Sequence, residues 1–196
     1  MDNKIQKIVY FVRHGQSEDN VAPVFQSPNS PLNEKGQKQA KSIADRVSKL
    51  SFDALIASPF ERAKQTAETI AKATGKQPEY SELFVERVKP TYINGKPYTD
   101  EKANALWREW EKSLHTPNLR AEDGENFDDL IARADKALAF LQNRPEKSLV
   151  VVTHGYFLKT IVSRVLLGDL LSGEAFRNIQ RTAAMENTGL TVLQYR

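Results

Sequence analysis

The six residues Ser148 to Thr153, SLVVVT, constrain this 196-residue chain more than any other run in it. The segment is too short for a helix, and its apolar centre shows no polar alternation. Such a run is a strand covered on both faces, and a parallel sheet flanked by crossover helices supplies that cover. Ile5 to Val12 (IQKIVYFV), rich in β-branched and aromatic residues, reads as a second buried strand, and Phe52 to Ala57 as a short third one. Glu79 to Leu83 is a further short strand candidate, and Thr188 to Tyr195 closes the chain as another.

Helices fall between these strands. From Glu34 to Leu50, the residues Ala40, Ile43, Ala44, Val47 and Leu50 recur at helical spacing. Ser58-Pro59-Phe60-Glu61 combines an N-cap serine, a proline at the first helical position and a capping-box glutamate, predicting a helix that runs to about Thr74 and stops at Gly75. Lys102 to Leu114 looks helical. Phe127 to Leu141 places Leu130, Ile131, Ala134, Ala137, Leu138 and Leu141 on one face, and Phe157 to Leu167 is a largely apolar helix. Pro23, Pro28 and Pro31 mark a loop. The expected class is α/β: a three-layer sandwich with a mainly parallel central sheet and helices on both faces. No repeat or linker interrupts residues 1–196, which read as one domain. The stretch from about Arg87 to Glu125 lacks a clean strand-helix rhythm and is expected to be an insertion covering one end of the sheet.

Composition narrows the chemistry. There is no cysteine, so disulfides, thiolate metal sites and cysteine nucleophiles are excluded. No apolar run approaches the roughly 20 residues of a membrane span. Met1-Asp2-Asn3-Lys4 leads straight into a strand-like segment without a signal-peptide core, and the expected address is the cytoplasm. The net charge is +3, with Lys and Arg interspersed among Asp and Glu, so no basic stripe for nucleic acid is present.

In open α/β sheets, ligands bind beyond the carboxyl ends of the strands. Three strand ends carry polar groups here: Arg13-His14-Gly15, Ser58 to Arg62, and Thr153-His154-Gly155. Two of the chain's three histidines thus share one setting, after a buried strand and before a glycine that lets backbone approach a ligand. Arg13 adjoins the first histidine, and Arg62 lies one turn into the helix after the third strand. Guanidinium forks match phosphate oxygens better than lysine does. Two arginines and two histidines at one strand-end crevice make a phosphate-sized anion site.

At these residues the chain resembles the histidine phosphatase superfamily, also called the phosphoglycerate mutase-like or acid phosphatase superfamily. Arg13-His14-Gly15 with Ser17 and Asn20 is similar to the family's opening. Ser58-Pro59-Phe60-Glu61-Arg62-Ala63 with Thr66 is similar to its second motif. Glu86 stands where the family places an acidic proton donor. Gly124-Glu125 before a helix with Arg133, and Thr153-His154-Gly155, complete the landmarks in order. Many small members carry a glycine- and tryptophan-containing motif after the acid; this chain reads Glu86-Arg87-Val88-Lys89-Pro90 instead.

The resemblance implies a phosphoglycerate mutase-like fold of the small single-domain phosphatase branch, with His14 as nucleophile and no metal or organic cofactor. Arg13, Arg62 and His154 would clamp the phosphoryl oxygens, with Asn20 assisting, and Glu86 would protonate the leaving oxygen and then activate water. A nucleophilic imidazole must be neutral, and arginines beside His14 disfavour its protonation, whereas His154 serves best as a cation; the two are expected to be pushed in opposite directions. Glu125 reads as a helix N-terminal acid favoured by the dipole. Arg87, Lys89 and Lys96 read as solvated charges, His115 as a surface residue, and Trp107 and Trp110 as core or lid packing.

The implied function is hydrolysis of phosphate monoesters through a phosphohistidine, on a small phosphorylated metabolite or a phosphorylated residue. Phosphoglycerate mutase-type transfer is the alternative; it needs the intermediate shielded from water, and with the last strand ending close to Arg196 no tail is expected over the site. A non-catalytic phosphoprotein-binding module and a metal hydrolase built on His14 and His154 are weaker readings, the latter because no ligand cluster accompanies the histidines.

Overall fold

The computed structural model describes residues 6–196; Ile5 of the expected first strand lies outside them. Five strands form one sheet in the order β3-β2-β4-β1-β5. They are β1 (Lys7–Arg13), β2 (Ala54–Ala57), β3 (Pro78–Tyr80), β4 (Ser148–Thr153) and β5 (Leu190–Tyr195). The first four run parallel, and β5 pairs antiparallel with β1 at the edge. The sheet is therefore mixed but mostly parallel, as the strand-helix alternation predicts.

The period-2 alternation of β4 decides which side chain meets which layer. Val150 and Val152 pack with Ile43, Val47, Ala63, Ala67 and Ile70 from α1 (Glu34–Val47) and α2 (Glu61–Thr74). Leu149 and Val151 face the other way, onto Leu130, Ala134, Leu141, Leu158 and Ile161 of α4 (Phe127–Asn143) and α5 (Gly155–Leu167). Both faces of the central strand are dry, which is why its sequence shows an unbroken apolar run. α3 (Glu101–Ser113) and α6 (Gly173–Thr182) flank the α4–α5 side.

Several boundaries differ from the sequence expectations. Ser58 does not cap α2: Phe60 is the N-cap residue, and the Ser58 hydroxyl takes the Phe60 amide at 3.2 Å while turning to another partner. Gly75 does end that helix, in the left-handed conformation at φ 72° that glycine tolerates. The strand expected over Glu79 to Leu83 is only three residues long and gives way to a 3-10 turn over Glu82–Phe84. α6 has no counterpart in the sequence reading. Its only buried residues are Gly173 and Phe176, too few for a clear period, although Ser172 caps it by accepting from the Ala175 amide. Between Arg87 and Glu125 lie a 3-10 turn (Thr91–Ile93) and α3.

Candidate active site

The sheet register sets two histidines side by side. Arg13 pairs with Thr153, so the residues that follow them leave the sheet together, and the His14 and His154 ring centroids lie 4.9 Å apart. His14 is 1% exposed. Its Nδ1 lies 2.7 Å from the Gly15 carbonyl oxygen, and its Nε2 lies 3.2 Å from Nε of Arg62. A carbonyl only accepts and a guanidinium only donates, so Nδ1 carries the proton and Nε2 keeps the lone pair. Burial first, and then the charge of Arg62, hold this imidazole well below its ordinary pKa. The protein thus presents a neutral ring in one defined tautomer.

Arg62 is the second residue of α2 and is 2% exposed. Its Nη1 donates to the Ser27 carbonyl at 3.0 Å. Burial brings its pKa down to about 10, with Glu86 and Asp19 opposing, so it stays cationic near neutrality. Thr66, one turn on, accepts from the Gly15 amide at 3.2 Å and donates to the Arg62 carbonyl at 2.7 Å, tying the loop after β1 to the helix that carries the arginine. Arg13 donates through Nη1 to the Met185 carbonyl. The Asn187 side chain donates to the His14 carbonyl at 2.8 Å. Nothing in the spacing of the sequence pointed to that asparagine.

His154 is the N-cap residue of α5, and its Nε2 shares a 2.7 Å hydrogen bond with the Ser58 hydroxyl. That is the other partner Ser58 turns to. Two buried nitrogens of this cluster, Nδ1 of His154 and Nε of Arg13, have no hydrogen-bond partner among the described residues. Buried polar atoms are rarely left so, and here both belong to residues grouped with His14, whose Nε2 lone pair meets only Arg62. The expectation that the histidines are pushed in opposite directions fails. Burial lowers both, and Arg62 and Arg13 act on both rings. The two glycines also meet protein: a Cβ at Gly15 would come within 2.6 Å of the Gly36 carbonyl oxygen, and one at Gly155 within 3.0 Å of Arg13 Nε, so close packing of the chain itself calls for them.

Glu86 stands at the N-terminus of α5. Its Oε1 accepts from the Phe157 amide at 3.0 Å and its own neighbour Arg87 at 3.2 Å, and Oε2 accepts from the Tyr156 amide at 3.3 Å. These are orphan donors of a helix start, where a carboxylate is favoured. Glu86 lines two cavities. One, of about 340 Å³, includes Arg13, Lys159 and Glu186. The other, of about 490 Å³, includes Asn20, Arg87, Lys89, Trp107 and Tyr156. Asn20 is exposed on its rim, with Oδ1 taking the Ser17 amide at 2.9 Å.

Four of the residues read as bland are not. Arg87 is no solvated charge: its guanidinium lies 4.2 Å from the Tyr156 ring and 5.0 Å from both Trp107 and Trp110. Lys89 turns its ammonium to two neutral acceptors, the Gln26 carbonyl and the Asn94 side chain, and burial, with Arg62 and Arg87 nearby, lowers its pKa to about 8. His115 is half-buried against Phe176, with its pKa lowered to about 4 by burial, Arg177 and Arg87. Glu125 does not rely on the helix dipole: it precedes the Asn126 N-cap and pairs with Arg133. Lys96 packs over Tyr92 instead of lining the cavity with Lys89. Trp110 is core, donating to the Glu125 carbonyl at 2.8 Å, while Trp107 stacks on Phe25 in the cavity wall.

No helix of the described residues is long and apolar enough to cross a membrane. No group of three or more His, Asp or Glu side chains able to hold a metal ion occurs among them.

The sequence is similar to proteins named probable phosphoglycerate mutase GpmB. It is 36% identical over 166 residues to the one from Photorhabdus laumondii, covering 81% of this chain and 74% of the relative. The protein of that name from Escherichia coli O1:K1 / APEC is 32% identical over 168 residues. Among solved structures, the fold is similar to the alpha-ribazole phosphatase of Shigella flexneri, with TM-score 0.78 at 18% identity, covering 94% of this chain and 89% of that one. It is also similar to mycobacterial glucosyl-3-phosphoglycerate phosphatase, with TM-score 0.72 at 24% identity over 95% and 89%. The family description of the histidine phosphatase superfamily (branch 1) matches residues 9–196, and this chain belongs to that superfamily.

Proposed function

We propose that the protein is a phosphatase that hydrolyses phosphate monoesters through a phosphohistidine on Nε2 of His14. The observation that carries this reading is the fixed tautomer: the buried ring donates its Nδ1–H to the Gly15 carbonyl and turns its Nε2 lone pair to Arg62. In the first step that lone pair forms a bond to phosphorus and the bond to the alcohol oxygen breaks. With the phosphate dianion bound beside it to offset the amides that favour the carboxylate, the Glu86 carboxyl gives its proton to the departing oxygen; Oε2, with one long amide contact, is the oxygen suited to carry it. Arg62, Arg13 Nε and His154 Nδ1 supply donors to the phosphoryl oxygens. In the second step water attacks phosphorus, the P–N bond breaks, and Glu86 takes the proton from water, restoring both groups. Asn20 serves at the rim.

Glu86 also assigns the alcohol half. A donor to the leaving oxygen borders the space the alcohol occupies, and the 490 Å³ cavity is lined by Arg87 and Lys89 as well as by Asp19, whose Oδ2 is taken by the Ser27 amide; neither cation is within ion-pair distance of a carboxylate among the described residues. Residues 87–125 thus supply part of the pocket wall, with Asp19 to Gln26 and Tyr156 supplying the rest, and the substrate alcohol is a small one bearing an anionic group. Glucosyl-3-phosphoglycerate phosphatase is named for such an ester, and the phosphoserine phosphatase of Entamoeba histolytica, at TM-score 0.68 and 22% identity, has been solved with 3-phosphoglyceric acid.

The test is turnover of a phosphate monoester panel in EDTA by wild type and His14→Ala. Activity confined to wild type, with an acid-labile, base-stable phosphoenzyme after quenching, is expected; equal turnover by both proteins overturns the reading. The GpmB likeness favours a second reading, phosphoryl transfer to a phosphorylated acceptor. Release of inorganic phosphate without exchange of label between phosphoglycerate positions separates hydrolysis from it.

A further inference from the structure

We propose that Arg133, paired with Glu125, is the positioning residue that aims the Glu86 carboxyl at the leaving oxygen; this rests on the reading of Glu86 as the acid. His14 and His154 are set by sheet register, but Glu86 is not. It sits between two 3-10 turns, in a segment with no strand partner. Its backbone polar groups must find side chains instead, and they find one guanidinium.

All five N–H donors of Arg133 are engaged. Nη1 donates to the carbonyls of Leu83 at 3.2 Å and Val85 at 2.9 Å. Nη2 donates to the Glu86 carbonyl at 3.3 Å and to Glu125 at 2.8 Å, and Nε donates to Glu125 at 2.6 Å. Glu125 in turn accepts from the Val88 amide at 2.8 Å. The pair therefore grips the chain on both sides of Glu86. The same guanidinium lies 3.9 Å over the Phe157 ring, and Phe157 supplies the amide that holds Glu86 Oε1 at 3.0 Å. One side chain thus fixes both the backbone that carries the carboxyl and the helix start that receives it. With side chains only 13% and 14% exposed, the pair is shielded from the screening that makes surface ion pairs weak. Arg133 does not line the cavity assigned to the alcohol; its charge also reaches His154, but an effect carried by that ring falls on every ester alike, whereas one carried by Glu86 depends on the leaving group.

The test is a leaving-group series read as kcat/KM, which ends at release of the alcohol. A positioned acid matters for an alkyl phosphate and hardly at all for dinitrophenyl phosphate, whose oxygen leaves unprotonated. Arg133→Met is expected to lose about 10²-fold with glycerol phosphate and less than about threefold with dinitrophenyl phosphate. Arg133→Lys, which lacks the fork, should behave like it, and Glu125→Gln should show the same slope change at about tenfold. Should Arg133→Met fail to fold, those two variants decide the matter. Glu86→Gln is run beside them. If Glu86→Gln steepens the series and the Arg133 and Glu125 variants lose activity equally across it, the positioning role is overturned while the acid remains. If Glu86→Gln itself shows no leaving-group dependence, the acid assignment falls, and the inference with it.

Discussion

The two halves of the proposed site, one for the phosphate and one for the alcohol, are built by different means. On the phosphate side, His14, Ser58 and His154 all follow directly from parallel strands whose ends the register aligns. On the alcohol side, Glu86, Arg87 and Lys89 lie in irregular chain held by side chains: the Arg133–Glu125 pair, the Thr153 hydroxyl on the Phe84 carbonyl, and the aromatic faces around Arg87. A sheet fixes geometry through backbone ladders that tolerate side-chain change. A clamped loop fixes it through single residues. Chemistry common to any phosphate ester suits the first, and selectivity for one alcohol suits the second.

Experiments can break that comparison, starting where the effect is largest. His14→Ala should abolish phosphoenzyme formation and cost roughly 10⁴-fold or more in kcat, because the proposed nucleophile itself is gone. Retention of a base-stable phosphoenzyme would move the nucleophile elsewhere. Arg62→Met should cost on the order of 10²–10³ in kcat/KM for every ester, whatever its alcohol. A loss that varied with the alcohol would place Arg62 on the wrong side. Lys89→Met sharpens the contrast: selectivity for an anionic over a neutral phosphomonoester should fall by roughly 10–100-fold, as expected for one charged hydrogen bond. An unchanged ratio would remove Lys89 from substrate recognition.

The smallest effect concerns stability. Folding holds His14 and His154 well below 6.5 and His115 at about 4, so below 6.5 the unfolded chain binds protons that the folded chain refuses. Their contribution is complete above 6.5 and is lost as pH falls towards the folded values. Each fully buried histidine should cost on the order of 1 kcal/mol per pH unit in that window, and half-buried His115 less. Urea midpoints between about pH 7.5 and about pH 5.5 measure the slope. His115→Gln should flatten it slightly, and an identical slope would show that His115 titrates normally in the folded protein.

Much of the phosphate side was legible beforehand. Buried strands announce themselves by continuous apolar runs, and a polar triplet after such a run marks a strand end. That logic found Arg13, His14, Arg62 and His154, which the structure brings together beyond the strand ends. It misread Ser58, because a serine before a proline and a glutamate satisfies a capping pattern whether or not the hydroxyl is needed elsewhere. It misread Arg87 and Lys89 as solvated, because the aromatic rings and carbonyls around them come from α3, α5 and the loop at Gln26, distant in sequence.

The sequence alone determined the layers, the strand ends and the chemical types offered there, since apolar period and local turn chemistry act over a few residues. Tertiary structure decided which tautomer His14 adopts, where the Glu86 carboxyl rests and what holds it. Those outcomes depend on long-range contacts between single side chains and backbone groups, such as Arg133 on the Leu83 and Val85 carbonyls, and on burial that only the packed layers create.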